Sequence, residues 1–103
     1  MGKTRPTHWP MSQFPVVDDC LWVGGMPLTQ LAARIGQTPF YAYERRLLDQ
    51  KMALLRGALP PAIELHYAVK ANPMPAVVQH MAGLVDGLDV ASLGELRIAL
   101  DSG

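Results

Sequence analysis

From Thr38 onward the chain alternates short apolar runs with amphipathic stretches of helical period, and this alternation limits the possible folds more than any other feature. Residues 38–43 form a compact, aromatic run bounded by Gly36 and a charged stretch, which predicts a buried strand. Over residues 44–56, Leu48, Met52 and Leu55 share one helical face, with Arg45, Asp49 and Arg56 elsewhere and Gly57 at the end. Pro60-Pro61 then breaks the chain, residues 63–70 read as a second strand, and Pro75 opens a helix whose Val78, Met81, Ala82 and Val85 line up. Residues 86–91 are a third strand candidate. Ser92-Leu93-Gly94-Glu95 has the S-x-x-E form of a capping box and leads into a stripe of Leu96, Ala99 and Leu100. Strict alternation of this kind builds right-handed βαβ units around a parallel sheet or barrel, so the expected class is α/β with about three βα units.

Upstream, Val16-Val17 and Leu21-Trp22-Val23 flank Asp18-Asp19 and are stopped by Gly24-Gly25, which reads as a strand or hairpin. Leu28, Leu31 and Ile35 fall at helical spacing, and Gly36 sits where helices often end on glycine, so a short helix is expected there. Residues 1–15 are rich in Pro, Thr and polar side chains without either period, and read as an irregular lead-in. The expected organisation is therefore a lead-in at 1–15, a strand segment and short helix at 16–36, and βα units at 37–103. Three such units leave one edge of a parallel sheet open, and the sequence stops at Asp101-Ser102-Gly103, where a fourth strand would follow. The expectation is a partial protein.

Composition narrows the function classes. Half the residues are hydrophobic, 17% are charged and the formal net charge is zero, as in globular chains that build a core. Without a basic run there is no electrostatic footprint for nucleic acid or an anionic membrane. Cys20 is the only cysteine and cannot form an internal disulfide, which suits a reducing cytoplasm. His8, His66 and His80 fall in the lead-in, a strand and a helix with no shared metal-ligand spacing, so packing or surface roles are expected and no metal. Met11, Met26, Met52, Met74 and Met81 read as core filler, and Trp9 and Trp22 as packing area. The lead-in lacks the apolar stretch of a secretory signal, no later run reaches the roughly 20 residues of a membrane span, and a soluble, cytoplasmic protein is expected. No glycine-rich phosphate loop of Walker or Rossmann form is present.

The residues that carry chemistry cluster in the second half. His66-Tyr67-Ala68-Val69-Lys70-Ala71-Asn72-Pro73 puts a lysine at the end of an otherwise apolar strand. Such a lysine is ordinarily a solvated terminal charge. The alternative is a Schiff-base lysine, because burial at a barrel mouth favours the neutral amine that attacks an aldehyde, and barrel enzymes place catalytic residues at strand C-termini. Asp89, at the end of the third strand, would share that face, although aspartates at strand ends commonly accept backbone hydrogen bonds from the next loop. Glu95 can cap its helix by reaching back to the Ser92 N–H.

The string Tyr-Ala-Val-Lys-Ala-Asn at 67–72, followed by a helix and then Gly87-Leu88-Asp89-Val90-Ala91-Ser92-Leu93-Gly94-Glu95-Leu96, resembles the signature of the pyridoxal-5′-phosphate-dependent ornithine/diaminopimelate/arginine decarboxylases. The resemblance runs from about Leu21 to the last residue and includes the Thr38-Pro39-Phe40-Tyr41-Ala42-Tyr43 run. Alanine racemases are similar around the lysine but continue differently from Lys-Ala-Asn, where this chain has Pro73-Met74-Pro75. The lead-in from Trp22 to Leu28 looks like that of diaminopimelate-decarboxylase-like proteins, including the set associated with exosortase and exopolysaccharide systems.

The resemblance implies a (β/α)8 TIM-type barrel of which this chain supplies the first part, with pyridoxal 5′-phosphate as cofactor. It implies that Lys70 forms the internal aldimine and that Asp89 and Glu95 belong to the cofactor site, Ser92 being mainly a cap. It further implies a carboxy-lyase acting on an amino acid, homodimeric in its full-length form, with the phosphate-binding loop and the partner of the pyridine nitrogen downstream of Gly103. A chain of 103 residues is expected to be too short for activity alone. Two uses stay open beside the decarboxylase piece: a non-catalytic or partner-binding relative, and a small cofactor-holding or racemase-like protein.

Overall fold

The structure, a computed structural model, describes residues 2, 4–7 and 10–103. His8 and Trp9, with the surface and packing roles expected of them, lie outside the described residues. The chain forms two compact units, Met1–Glu44 and Arg45–Gly103.

In the first unit, β1 (Val16–Val17), β2 (Cys20–Val23) and β3 (Met26–Pro27) make a three-stranded antiparallel meander. Its two loops, Asp18-Asp19 and Gly24-Gly25, have positive φ at both residues, the type I′ geometry whose twist matches a two-residue hairpin. The expected hairpin is present, and Gly24-Gly25, read as a stop, instead turns the chain into a third strand. Helix α1 (Leu28–Ile35) follows against β2 and β3 and ends on Gly36, at φ 81° and ψ 2°, whose N–H donates to the Ala32 carbonyl at 2.9 Å. Among the described residues of this unit Val23 is the buried one, and Trp22 is half-buried.

Residues 38–43 are not a strand. They carry no ladder, and Tyr41 is 90% exposed. Aromatic and β-branched residues fit a pleated surface, but a strand exists only where a neighbour takes up its N–H and C=O groups, and no described strand pairs with this segment.

The second unit contains α2 (Arg45–Ala58), β4 (His66–Ala68), a 3-10 turn (Val69–Ala71), α3 (Pro75–Ala82), β5 (Gly87–Asp89) and α4 (Leu93–Asp101). β4 and β5 pair in parallel with α3 between them, a βαβ unit, in register His66 to Gly87, Tyr67 to Leu88 and Ala68 to Asp89. Both strands are shorter than their apolar runs suggest. The residues before β4 form a turn, with Ile63 N–H donating to Pro60 O at 3.0 Å, and Val69 already enters the 3-10 turn. Pro75 takes the first position of α3, where the missing N–H costs no hydrogen bond.

Met52 from α2 and Val77 and Met81 from α3 form the core, with Leu48, Leu65, Tyr67, Leu84 and Val85 packed around them. Two residues depart from the expected stripes of α2 and α3: Leu55 is 38% exposed, and Val77, outside the stripe, is buried beside Val78. Met52 and Met81 are core residues as expected, whereas Met11 and Met74 are about half exposed. Arg56, placed by the pattern on the polar side of α2, fastens the unit: its guanidinium donates to Asp86 Oδ2 at 3.2 Å and to the Leu84 carbonyl at 2.8 Å. The same Asp86 oxygen accepts the Leu65 N–H at 2.7 Å, and Asp86 N–H donates to Leu65 O at 2.8 Å, so the entrance to both strands is clamped.

On α4 the side facing the unit keeps only Ala99 of the expected Leu96, Ala99 and Leu100 stripe. Glu95, Ile98 and Ala99 are half-buried, while Leu93, Leu96 and Leu100 are exposed. Helical spacing defines both rows equally well; α3 and the 3-10 turn, which α4 packs against, select the first. Among the described residues no helix is long and apolar enough to cross a membrane.

Candidate functional site

Strand alternation sorts the residues of β4 and β5 onto two faces. Leu65 and Tyr67 point to the helical core, and the Tyr67 hydroxyl donates to the Asn72 carbonyl at 2.9 Å. Asn72 Oδ1 in turn accepts the Met74 N–H at 3.1 Å, so the loop after the lysine is held at both ends. His66, Ala68, Gly87 and Asp89 occupy the other face.

Because the strands are parallel, their C-terminal ends lie side by side, and each is followed by a loop that stays near the other. The 3-10 turn buries Val69 completely and leaves Lys70, the next residue, exposed. Val69 is thus the anchor and Lys70 the projection. Ala68, Lys70, Asp89, Val90, Ala91 and Glu95 line one open cavity of about 160 Å³. The three residues singled out from the sequence come together there, contributed by the ends of β4 and β5 and the first turn of α4. Among the described residues none forms a hydrogen bond or ion pair with the Lys70 amine.

Glu95 has two roles in this geometry. The Ser92 hydroxyl accepts the Glu95 N–H at 3.1 Å, which caps α4. The return bond runs from the Ala91 N–H to Glu95 Oε1 at 3.1 Å, one residue earlier than the Ser92 N–H of the usual box, and Oε2 accepts from the Ser92 hydroxyl at 3.2 Å. The carboxylate is therefore fixed by the cap while it forms part of the cavity wall.

Sequence reasoning gave His66 only a packing or surface role. Its ring lies over Gly87, where an added Cβ would come within 2.7 Å of Cε1 and 2.8 Å of Nδ1. Nε2 is 3.2 Å from Glu64 Oε2, and Nδ1 is 3.5 Å from Asp89 Oδ1. The Glu64 hydrogen bond raises the imidazole above its ordinary 6.5, the Asp89 charge adds to this, and desolvation opposes it. The sequence signal was the i, i+2 spacing of Glu64, His66 and Ala68 on one face, opposite Gly87 and Asp89. Asp86, on the entrance side, is held below the usual carboxylate value of 3.8 by the Leu65 N–H and then by the Arg56 guanidinium.

The donor set fits an aldehyde-bearing phosphate cofactor in part. An unpaired primary amine, two nearby carboxylates and the small walls of Ala68 and Ala91 suit Schiff-base attachment. The cavity falls short of the roughly 300–1,000 Å³ of small-molecule sites, so these residues make one wall of a site rather than a closed one.

Residues 45–103 match the family described as "Pyridoxal-dependent decarboxylase, pyridoxal binding domain". The chain is similar to the diaminopimelate decarboxylase of Aquifex aeolicus, at 37% identity over 86 residues covering 84% of this chain and 20% of that protein. It is 35% identical over 97 residues to the diaminopimelate decarboxylase of Zymomonas mobilis, covering 90% of this chain and 23% of the relative. The lysine/ornithine decarboxylase of Selenomonas ruminantium is 40% identical over 73 residues, 71% of this chain and 18% of the relative. No solved structure matches. The chain spans about a fifth of the length of these curated relatives. It belongs to the pyridoxal-binding domain family of the pyridoxal-dependent decarboxylases.

Proposed function

We propose that this member of the family supplies the lysine-bearing wall of an amino-acid decarboxylase site, with Lys70 as the residue that bonds pyridoxal phosphate and Asp89 and Glu95 beside it. The observation that carries the reading is the single cavity in which two parallel strand ends and the start of α4 bring together one unpaired amine and two carboxylates.

The residues divide the work by their geometry. The Lys70 amine would be the group that bonds the cofactor aldehyde, and as a primary amine it could also hold or give up a proton in the same cavity. Val69, fully buried, keeps the lysine's backbone from shifting. Asp89 places a carboxylate beside the amine to orient it, and Glu95, fixed through Ala91 and Ser92, adds a second charge whose position does not vary. Pyridoxal phosphate held there would supply an electron sink for decarboxylation.

The finer structural reading goes with this one: β4 and β5 are neighbouring staves of a (β/α)8 barrel, helices outside and the His66–Asp89 face inside. So do an amino acid with a basic or second carboxylate side chain as substrate, assembly of the complete enzyme as a homodimer, and a cytoplasmic location. The test is uptake of pyridoxal phosphate by the chain and by Lys70→Ala, fixed with borohydride and located by peptide mass. Label on the peptide containing Lys70 in the wild type alone is the expected result. Equal labelling of both proteins, or label spread over other lysines, would remove Lys70 from the site.

A further inference from the structure

The face of the sheet that leads to the cavity holds a three-membered charged row, two of whose members, Glu64 and His66, the lysine chemistry does not account for. Glu64, His66 and Asp89 run along it in order, with 3.2 Å between the first pair and 3.5 Å between the second. A carboxylate at each ring nitrogen needs an N–H donor at both, a demand that only the imidazolium meets. The ring can occupy this place because residue 87 is glycine; a methyl group there would lie 2.7 Å from Cε1. Gly87 is thus part of the arrangement.

We propose that His66 is a positioning residue of the cofactor site, its imidazolium holding the Asp89 carboxylate across the sheet and offsetting its charge beside Lys70. This role rests on the assignment of Lys70 made above. The consequence is electrostatic. A carboxylate beside a lysine stabilises the ammonium, which cannot attack an aldehyde; a cation on the far side of that carboxylate weakens the effect and leaves more amine. Loss of the imidazole proton leaves Asp89 uncompensated. The charged groups around the ring are Glu64 on its own segment, Asp89 at the end of β5, and Asp86 before β5, which is itself paired with Arg56. All three neighbours are acidic, so they act in the same direction, with Arg56 moderating only Asp86.

Two measurements on the full chain test this. The first is a magnetic-resonance pH titration of the His66 ring without cofactor, in the wild type, Asp89→Asn and Glu64→Gln. Each substitution is expected to lower the midpoint. The second is the rate of borohydride-fixed pyridoxal phosphate capture at Lys70, below and above neutral pH, in the wild type, His66→Gln and His66→Arg. His66→Gln is expected to be slower by roughly twofold to fivefold below neutrality, the size an exposed ion pair supports, and equal to wild type above it. His66→Arg, with a permanent charge, is expected to restore capture and flatten its pH dependence. An unmoved His66 titration in Asp89→Asn, or identical capture by His66→Gln and wild type at every pH, overturns the role of His66 and leaves Lys70 in place. A wild type that captures none at Lys70 overturns the lysine assignment and the role of His66 with it.

Discussion

Val69 and Lys70 are adjacent, yet the structure gives them opposite parts, and substituting each in turn separates anchoring from chemistry. Val69 is fully buried in the turn that closes β4. Val69→Ala removes two methyl groups, at about 0.8 kcal/mol each for burial, or about 1.6 kcal/mol. A cavity that the turn and α4 only partly refill brings the loss to about 2 to 2.5 kcal/mol. Lys70 is exposed and has no hydrogen-bond or ion-pair partner among the described residues, so Lys70→Ala should fall within about 0.5 kcal/mol of wild type. Urea unfolding followed by circular dichroism reads both. At a slope of about 1 kcal/mol per molar, Val69→Ala moves the midpoint down by about 2 M and Lys70→Ala leaves it nearly unchanged. Cofactor capture should invert the order, with Lys70→Ala losing all of it and Val69→Ala retaining it while folded. A Lys70→Ala midpoint as low as that of Val69→Ala would show that the lysine is structural, and the reasoning that frees it for chemistry would fail.

Gly87→Ala should leave the urea midpoint nearly where it is, because the exposed His66 ring can swing away, but the His66 titration midpoint should drop towards its ordinary value; an unchanged midpoint would mean that the ring does not depend on the gap. Ser92→Ala removes the α4 cap and should cost about 1 kcal/mol in a thermal or urea melt, with a loss of under about 0.3 kcal/mol showing the cap to be dispensable. The pH dependence of stability has two signs. Asp86 is held below 3.8, so its contribution is full above that pH and is lost as pH falls through its lower folded value; Asp86→Asn should therefore blunt the acid-side decline, and an identical acid limb would contradict the clamp. His66 is held above 6.5, so its contribution is full below that pH and is lost as pH rises through its folded value, and His66→Gln should remove that alkaline-side decline in the urea midpoint.

Local signals determined much of this protein without any tertiary information. The helices begin and end where Pro75, Ser92 and Gly36 place them, since capping and the left-handed conformation are decided by a residue and its near neighbours. That Lys70 and Asp89 would share one side was legible for a similar reason: parallel strands bring their C-terminal ends together once the βαβ pattern is recognised, whereas Glu95, a helix cap by its own spacing, was added to them only by the family resemblance. Residues 38–43 show the limit, because an aromatic run can signal a strand but cannot supply the partner that makes one. The α4 stripe shows another, since the expected Leu96-Ala99-Leu100 row and the covered Glu95-Ile98-Ala99 row have equally helical spacing and only the position of α3 and the 3-10 turn decides which is covered. The Arg56–Asp86 clamp and the His66–Asp89 pair were likewise beyond the sequence. They join side chains far apart in the chain, and the parallel register of two short strands, set by packing of Tyr67, Leu65 and the helices behind them, is what brings each pair within reach.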